Sequence, residues 1–358
     1  MSMSLRLQRA WYARSAWLLL LFPLLVPLEW LFRAAVALRF KLYLWRMLPV
    51  YSAPVPVVVV GNLTIGGSGK TPAVIALADA LAGRGIRVGV VSRGYGSAGV
   101  NYPYRVSESS TAAQAGDEPL LIFERTSAAV VVHPKRTQAV QALLNADEVD
   151  LIISDDGLQH YAMDRDFEIV LYDESAGFGN GRCLPAGPLR EPLARLKTVD
   201  EVLARSAVAS QASLAIVAVS FVNINTGEER ALNEHGFGNT ISAVAGVALP
   251  ELFFEQLGRL GLDVHRLPFP DHHRYTRKDF AELGSQPVIM TEKDAVKCRE
   301  LALENAWYLK INAQLPEHVI ERVAALVSVD ANENGTAKAT VNATVDGAVD
   351  ASVNRGTS

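Results

Sequence analysis

The sequence predicts an α/β protein built on a parallel sheet, and two observations carry that reading. Short apolar runs rich in β-branched residues recur along the chain, separated by stretches with helical spacing; this alternation is what parallel strands joined by helical crossovers require. The first run, Val57 to Val60, leads into a glycine-rich loop ending in Gly69-Lys70-Thr71 and then into a helix. That is the strand, loop and helix context of a phosphate-binding site.

Taken in order, residues 1–48 form a hydrophobic, basic segment. Fourteen uncharged residues, Ser15 to Leu28, lie between Arg14 and Glu29, broken by Pro23 and Pro27. Spanning helices want roughly 20 apolar residues, and shorter runs suit an interfacial helix. Residues 1–50 hold seven basic residues and one acidic residue, whereas the whole chain has a net charge of −4. A basic, apolar start on an acidic body reads as an uncleaved helix lying on a membrane surface. A helix packed on the protein's own core and a single span are the alternatives. Pro49 to Pro56 is a linker, and Val57 to Val60 a strand buried on both faces. Residues 71–84 are a helix and 88–91 the next strand. Further strands are expected at 128–132, 149–153 and 168–172, with helices at 118–124 and 136–146. Leu214 to Asn225 alternates as a ribbon strand does. Strands at 240–247, 287–291 and 307–311, helices at 250–260 and 294–301, and an amphipathic helix at 316–327 complete the pattern. From residue 330 the chain lacks aromatics and is rich in Ala, Thr, Asn, Asp and Gly, which predicts a disordered tail.

Composition narrows the function. The 358 residues are 49% hydrophobic and 20% charged, which excludes a wholly disordered chain and a strongly basic nucleic-acid coat. The length suits two domains. Two distant cysteines, Cys183 and Cys298, exclude a disulfide framework and a four-cysteine zinc site, with a reducing compartment as the default.

The strongest motif is Gly61-Asn62-Leu63-Thr64-Ile65-Gly66-Gly67-Ser68-Gly69-Lys70-Thr71-Pro72. Thr64 stands where the phosphate-loop pattern has its first glycine, yet Gly66, Gly67 and Gly69 keep the loop permissive enough for backbone N–H groups to close around phosphate oxygens. The following helix N-terminus adds partial positive charge. Thr64 to Thr71 are therefore the ATP-binding candidates, with Lys70 reaching the β- and γ-phosphates and the Thr71 hydroxyl available to Mg²⁺. The apolar run Val149 to Ile153 ends in Ser154-Asp155-Asp156-Gly157, which would bring Asp155 and Asp156 beside the loop as Mg²⁺ candidates. Gly116-Asp117-Glu118-Pro119 marks a helix start, and Phe269-Pro270-Asp271-His272-His273-Arg274-Tyr275 reads as a loop; neither is specific by spacing alone.

Together with SRGYG (92–96), HPKR (133–136), DDGLQH (155–160), LPAGPLRE (184–191) and TEKDAVK (291–297), these motifs make the chain resemble the tetraacyldisaccharide 4'-kinases, from the hydrophobic N-terminus to about residue 327. The resemblance implies a P-loop NTPase-like α/β/α sandwich (49–210) and a second, smaller α/β/α domain with a two-stranded β linker (211–329), whose last helix can pack back on the first domain. It implies an ATP-dependent kinase that phosphorylates the 4'-hydroxyl of tetraacyldisaccharide 1-phosphate, the lipid A disaccharide 1-phosphate, to give lipid IVA, with Mg²⁺ as cofactor. The place of work would be the cytoplasmic face of the bacterial inner membrane, with inner membrane lipids as a further partner, the protein being peripheral or monotopic. No nucleic acid and no obligate protein partner are expected. Asp117 would be the catalytic base, assisted by His272, with Lys70 on the phosphates. Glu118 would reach the metal through water. Arg136, Gln159, His160, Arg190 and Glu191 would lie near the sugar phosphate, and Thr291 to Asp294 near adenine. Because Asp117 and His272 fall in different domains, the pair is expected to meet on closure over ATP. A membrane-anchored nucleotide switch and a non-catalytic ATP-binding scaffold share the loop and are the rival readings.

Overall fold

The computed structural model describes residues 11–12, 16–97, 100–284 and 286–333. Its first long element, helix α1 (Ala16–Leu44), continues through Pro23 and Pro27. The prolines were expected to interrupt the apolar run. They stand four residues apart, so both missing N–H donors fall on one side of the helix, where the remaining ladder bridges them. Within it, Leu21–Leu44 is long and apolar enough to cross a membrane.

The body follows from alternating strands and helices: β1 (Val57–Gly61), α2 (Lys70–Ala82), β2 (Val88–Ser92), β3 (Tyr104–Arg105), α3 (Ala112–Ala115), α4 (Asp117–Arg125), β4 (Ala129–Val132), α5 (Arg136–Ala146), β5 (Leu151–Asp155), β6 (Phe167–Asp173), β7 (Glu201–Ser206) and β8 (Ser213–Asn223). Then come β9 (Glu229–Ala231), β10 (Thr240–Ala245), α6 (Pro250–Arg259), β11 (Asp263–Pro268), β12 (Val288–Thr291), α7 (Glu292–Cys298), β13 (Ala306–Gln314) and α8 (Glu317–Glu333). Among the described residues thirteen strands join one sheet in the order 11-10-12-13-8-7-6-1-5-2-4-3, with β9 paired to β8. Pairing is parallel throughout except for β8 with β13, β8 with β9 and β3 with β4.

Alternation along β1 explains the layering. Val58 and Val60 pack with Val74, Leu77 and Leu81 of α2, Ile122 of α4 and Val319 and Val323 of α8. Val57 and Val59 point the other way, into a cluster with Val140 and Leu143 of α5 and Phe32 of α1. A strand covered on both faces needs apolar side chains at every position, hence four consecutive valines. Around β10 and β12 a separate cluster gathers Ile241, Phe254, Leu257, Ile289 and Trp307.

Some elements depart from expectation. Strands β3, β7, β9 and β11 were not read from the sequence; β11 (DVHRLP) is an edge strand with no buried residue, so it carries no apolar pattern. The short helix begins at Glu292, not Asp294, and α8 continues to Glu333, so residues 330–333 are helical rather than tail. The rest of the expected tail lies outside the described residues.

Candidate active site

Strand β1 is buried along its whole length and delivers the chain into the loop. Gly66 (φ 115°) and Gly69 (φ 86°) take backbone conformations that β-carbons resist. Gly69 caps α2 without any side chain bonding to the first amides, which leaves that helix end open to an anion. The Ser68 side chain is buried and its hydroxyl has no hydrogen-bond partner. Gly66 to Thr71 line a cavity of about 1150 Å³. Thr64 and Ile65, expected to bind ATP, stand outside its wall. Thr64 bridges to Leu189, the Ile65 amide donates to the Pro188 carbonyl at 2.9 Å, and the Ile65 carbonyl accepts from the Tyr12 hydroxyl at 3.3 Å. The first part of the loop is thus a strand-like seam to the LPAGPLRE segment.

The end of β5 lies beside β1, Val60 pairing with Asp155. Asp155 is buried; one carboxylate oxygen accepts from the Ser92 hydroxyl at 3.2 Å and the other has no partner. Burial, reinforced by Glu118 and Asp156, pushes its pKa up to about 7 against the pull of Lys70 and Arg136. Asp156 sits at φ 46°, with the Lys70 ammonium 3.6 Å away and Arg190 at 3.2 Å. Burial would raise its pKa, but Lys70, Arg190 and Arg136 hold it below the ordinary range. Among the described residues no three carboxylates, histidines or cysteines form a cage for a metal ion. That suits Mg²⁺, which is usually held by one or two carboxylates together with phosphate oxygens. The unpartnered Asp155 oxygen and the nearly buried Thr71 hydroxyl are hard donors that fit it. Glu118, expected to reach the metal through water, lines the cavity and is bonded to Lys293 at 2.7 Å.

Across the cavity, α4 begins at Asp117 after Gly116 (φ 90°), where a β-carbon would meet the Tyr95 carbonyl at 3.0 Å. The loop after β11 brings in His272, held at φ 59° against the Tyr95 ring. Its Nδ1 lies 3.1 and 3.0 Å from the two oxygens of Asp117. The pair expected to meet on closure is therefore together in this conformation. Burial raises the Asp117 pKa, but the His272 hydrogen bond, Lys293 and Lys297 outweigh it and keep the carboxylate ionised. Burial depresses His272, while its bond to Asp117 lifts it above the usual histidine value overall.

The acceptor side is strongly cationic. Arg190, Gln159 and His160 line the cavity, joined by Arg93 and by Arg39 of α1. Arg39 donates to the Gln159 carbonyl at 3.1 Å. Arg136, expected near the sugar phosphate, also lines the cavity but is 5% exposed, and its Nη2 donates to the Asp155 and Asp156 carbonyls at 2.9 and 3.1 Å. It clamps the acidic turn from beneath. Glu191 is buried away from the cavity, accepting from the Tyr161 hydroxyl at 2.5 Å. Sequence reasoning missed Arg93 and Arg39, and it placed Lys293 only within the Thr291 to Asp294 segment near adenine. The signal for Lys293 was its place just after a strand's C-terminal end, where α/β proteins gather ligand-binding groups.

A family model described as Tetraacyldisaccharide-1-P 4'-kinase matches residues 21–328. The chain is 47% identical over 318 residues to the tetraacyldisaccharide 4'-kinase of Pseudomonas putida (strain W619), covering 87% of this chain and 93% of that protein. Its likeness to the enzyme of the same name from Pseudomonas fluorescens (strain Pf0-1) is 46% over 318 residues, with the same coverage. Among solved structures it is similar to the "apo" form of LpxK from Aquifex aeolicus in complex with ATP, with a TM-score of 0.70 and 28% identity over 85% of this chain and 98% of that one.

Proposed function

Since the chain belongs to the tetraacyldisaccharide 4'-kinase family and is a tetraacyldisaccharide 4'-kinase of lipid A biosynthesis, we propose that its cavity transfers the γ-phosphoryl group of ATP to the 4'-hydroxyl of tetraacyldisaccharide 1-phosphate, yielding lipid IVA. The observation that carries this reading is the facing of two groups across one cavity: the phosphate loop with Lys70 on one wall, and on the other His272, whose Nδ1 lies 3.0 Å from the buried Asp117.

Lys70 and the amides from Gly66 to Thr71 hold the β- and γ-phosphates, aided by the N-terminal end of α2. Asp155 and Thr71 would hold Mg²⁺, which supplies charge neutralisation at the phosphates when bound. The ionised Asp117 orients the 4'-hydroxyl. As the 4'-oxygen to γ-phosphorus bond forms and the bridge to the β-phosphate breaks, the hydroxyl proton passes to the Asp117 carboxylate and ADP leaves. An alcohol needs little deprotonation before a loose transition state, so orientation outweighs basicity. His272 keeps the carboxylate in place. Arg190, with Gln159 and His160, faces the sugar phosphate; a guanidinium suits that anion by its paired donors.

Residues 49–210 and 211–329 are read as two α/β/α units with the antiparallel β8–β13 pair as their linker, a division supported by their separate apolar clusters. Helix α1 is assigned to the cytoplasmic face of the bacterial inner membrane, peripheral or monotopic. In support, Leu24, Leu28, Leu31 and Leu38 form an exposed stripe on one face, while Glu29, Phe32 and Phe40 turn toward the body. The test is incubation with γ-labelled ATP, Mg²⁺ and the disaccharide 1-phosphate in detergent, followed by lipid chromatography. Label in a bisphosphorylated lipid is expected; label released only as inorganic phosphate would sink the reading.

A further inference from the structure

We infer that Lys293 is a positioning residue for the phosphoryl transfer, holding the base wall together from a third element. The inference rests on the assignment of Asp117 as base and extends it. Lys293 comes from the first turn of α7, whereas Asp117 and Glu118 open α4 and His272 lies on the loop after β11. Its Nζ is 2.7 Å from Glu118 Oε1, 3.4 Å from Asp271 Oδ1, 3.4 Å from His272 Nε2 and 3.9 Å from Asp117 Oδ2. One ammonium thus touches both segments that must meet for Asp117 and His272 to pair.

Two physical consequences follow. Three carboxylates crowd this wall, and a triphosphate bound on the opposite loop adds further negative charge. A cation at their centre offsets a repulsion that would otherwise part the wall. A lysine ammonium also has only donors. Aimed at His272 Nε2, it favours the tautomer with the proton on Nδ1, which is the nitrogen facing Asp117.

A purely structural lysine would merely tie α7 to α4, and other ion pairs do that already: Arg125 with Glu292 at 2.6 Å, and Arg299 with Glu124. Arg299 therefore provides the control, since it directly follows α7 and ties that end of the helix to α4 outside the cavity lining.

The experiment measures kcat and KM for ATP and for tetraacyldisaccharide 1-phosphate in Lys293→Met, Lys293→Gln, Lys293→Arg, Arg299→Ala and Asp117→Asn, in the full-length protein. Expected is a fall in kcat of about 100-fold for the Met and Gln variants with KM for ATP within about threefold. Lys293→Arg, which keeps the charge, should recover about tenfold, and Arg299→Ala should stay within about threefold of the parent. Two neutral variants are used so that one misfolded protein does not decide the matter. A kcat within threefold of the parent in either folded neutral variant overturns the inference. So do parallel losses in Lys293→Met and Arg299→Ala, which would mark a structural tie. Full turnover in Asp117→Asn would overturn the base assignment itself, whereas an inactive Asp117→Asn beside an active Lys293→Met overturns only the lysine's role.

Discussion

On the phosphate-loop wall of the cavity, the Ser68 hydroxyl and one oxygen of Asp155 are buried without hydrogen-bond partners, and the first amides of α2 have no side-chain cap. On the facing wall, Lys293 lies within 3.9 Å of Asp117, Glu118, Asp271 and His272, and His272 is bonded to Asp117. Buried polar groups left unpaired are costly, so the first wall is built to be completed by a ligand. The second is already satisfied and stands pre-organised. Substrate recognition and catalytic geometry are thus assigned to opposite sides, and variants on the two sides should fail differently.

The largest effect is expected on the pre-organised wall. Asp117→Asn keeps the shape and removes the proton acceptor, so kcat should fall by about 10²–10⁴-fold, the range of general-base contributions, while ATP affinity changes little. Steady-state kinetics beside equilibrium nucleotide binding would check this; a variant that lost ATP affinity and kept kcat would break the division of labour. On the other wall, Lys70→Ala should lower kcat/KM for ATP by about 10²–10³-fold, as for other charge-stabilising donors. There nucleotide binding itself should weaken, and an unchanged ATP dissociation constant would count against the loop assignment.

Arg136 sharpens the comparison at a smaller scale. It supports the acidic turn through two carbonyls and is nearly buried. Arg136→Met would leave those carbonyls without their donor, at a cost of about 1–3 kcal/mol. A lowered melting temperature together with weaker Mg²⁺ dependence is expected. Loss of acceptor affinity with unchanged stability would instead give Arg136 the contact with the sugar phosphate that the resemblance implies.

How far the sequence exposed all this depends on what each residue packs against. The central strands were legible because burial on both faces demands unbroken β-branched runs, as in Val57 to Val60. Edge strands such as β11 are polar and left no such trace. Lys70, Thr71 and Asp155 were readable from local spacing around a strand end. Asp117 and His272 lie 155 residues apart, so no spacing argument joins them, and only the resemblance did. The backbone of Thr64 and Ile65 is taken by Leu189 and Pro188, a pairing that depends on tertiary structure and that no local pattern reveals. The contacts of Lys293, expected near adenine with the rest of Thr291 to Asp294, likewise depend on tertiary structure: its ammonium faces the carboxylates.

The smallest predicted effect concerns His160, on the ligand-awaiting side. Its Nε2 is buried without a partner, and burial followed by the fields of Arg136, Arg165, Arg39 and Arg93 drives its pKa from 6.5 down to about 4. Between those two values the unfolded chain binds a proton at this position that the folded chain refuses. Stability therefore rises with pH across that window and is lost as pH falls through it, by about 1–2 kcal/mol once solvent screening of this partly exposed ring is allowed for. His160→Gln should remove this contribution, so that urea unfolding of variant and parent differs more at pH 4.5 than at pH 7. The same cationic surroundings predict the response to an anion. A phosphate bound among these arginines offsets their field, so the His160 titration, followed by NMR, should move toward its ordinary value when the acceptor is added. An unmoved titration would mean that the sugar phosphate lies elsewhere, and the division between the two walls would need redrawing on its acceptor side.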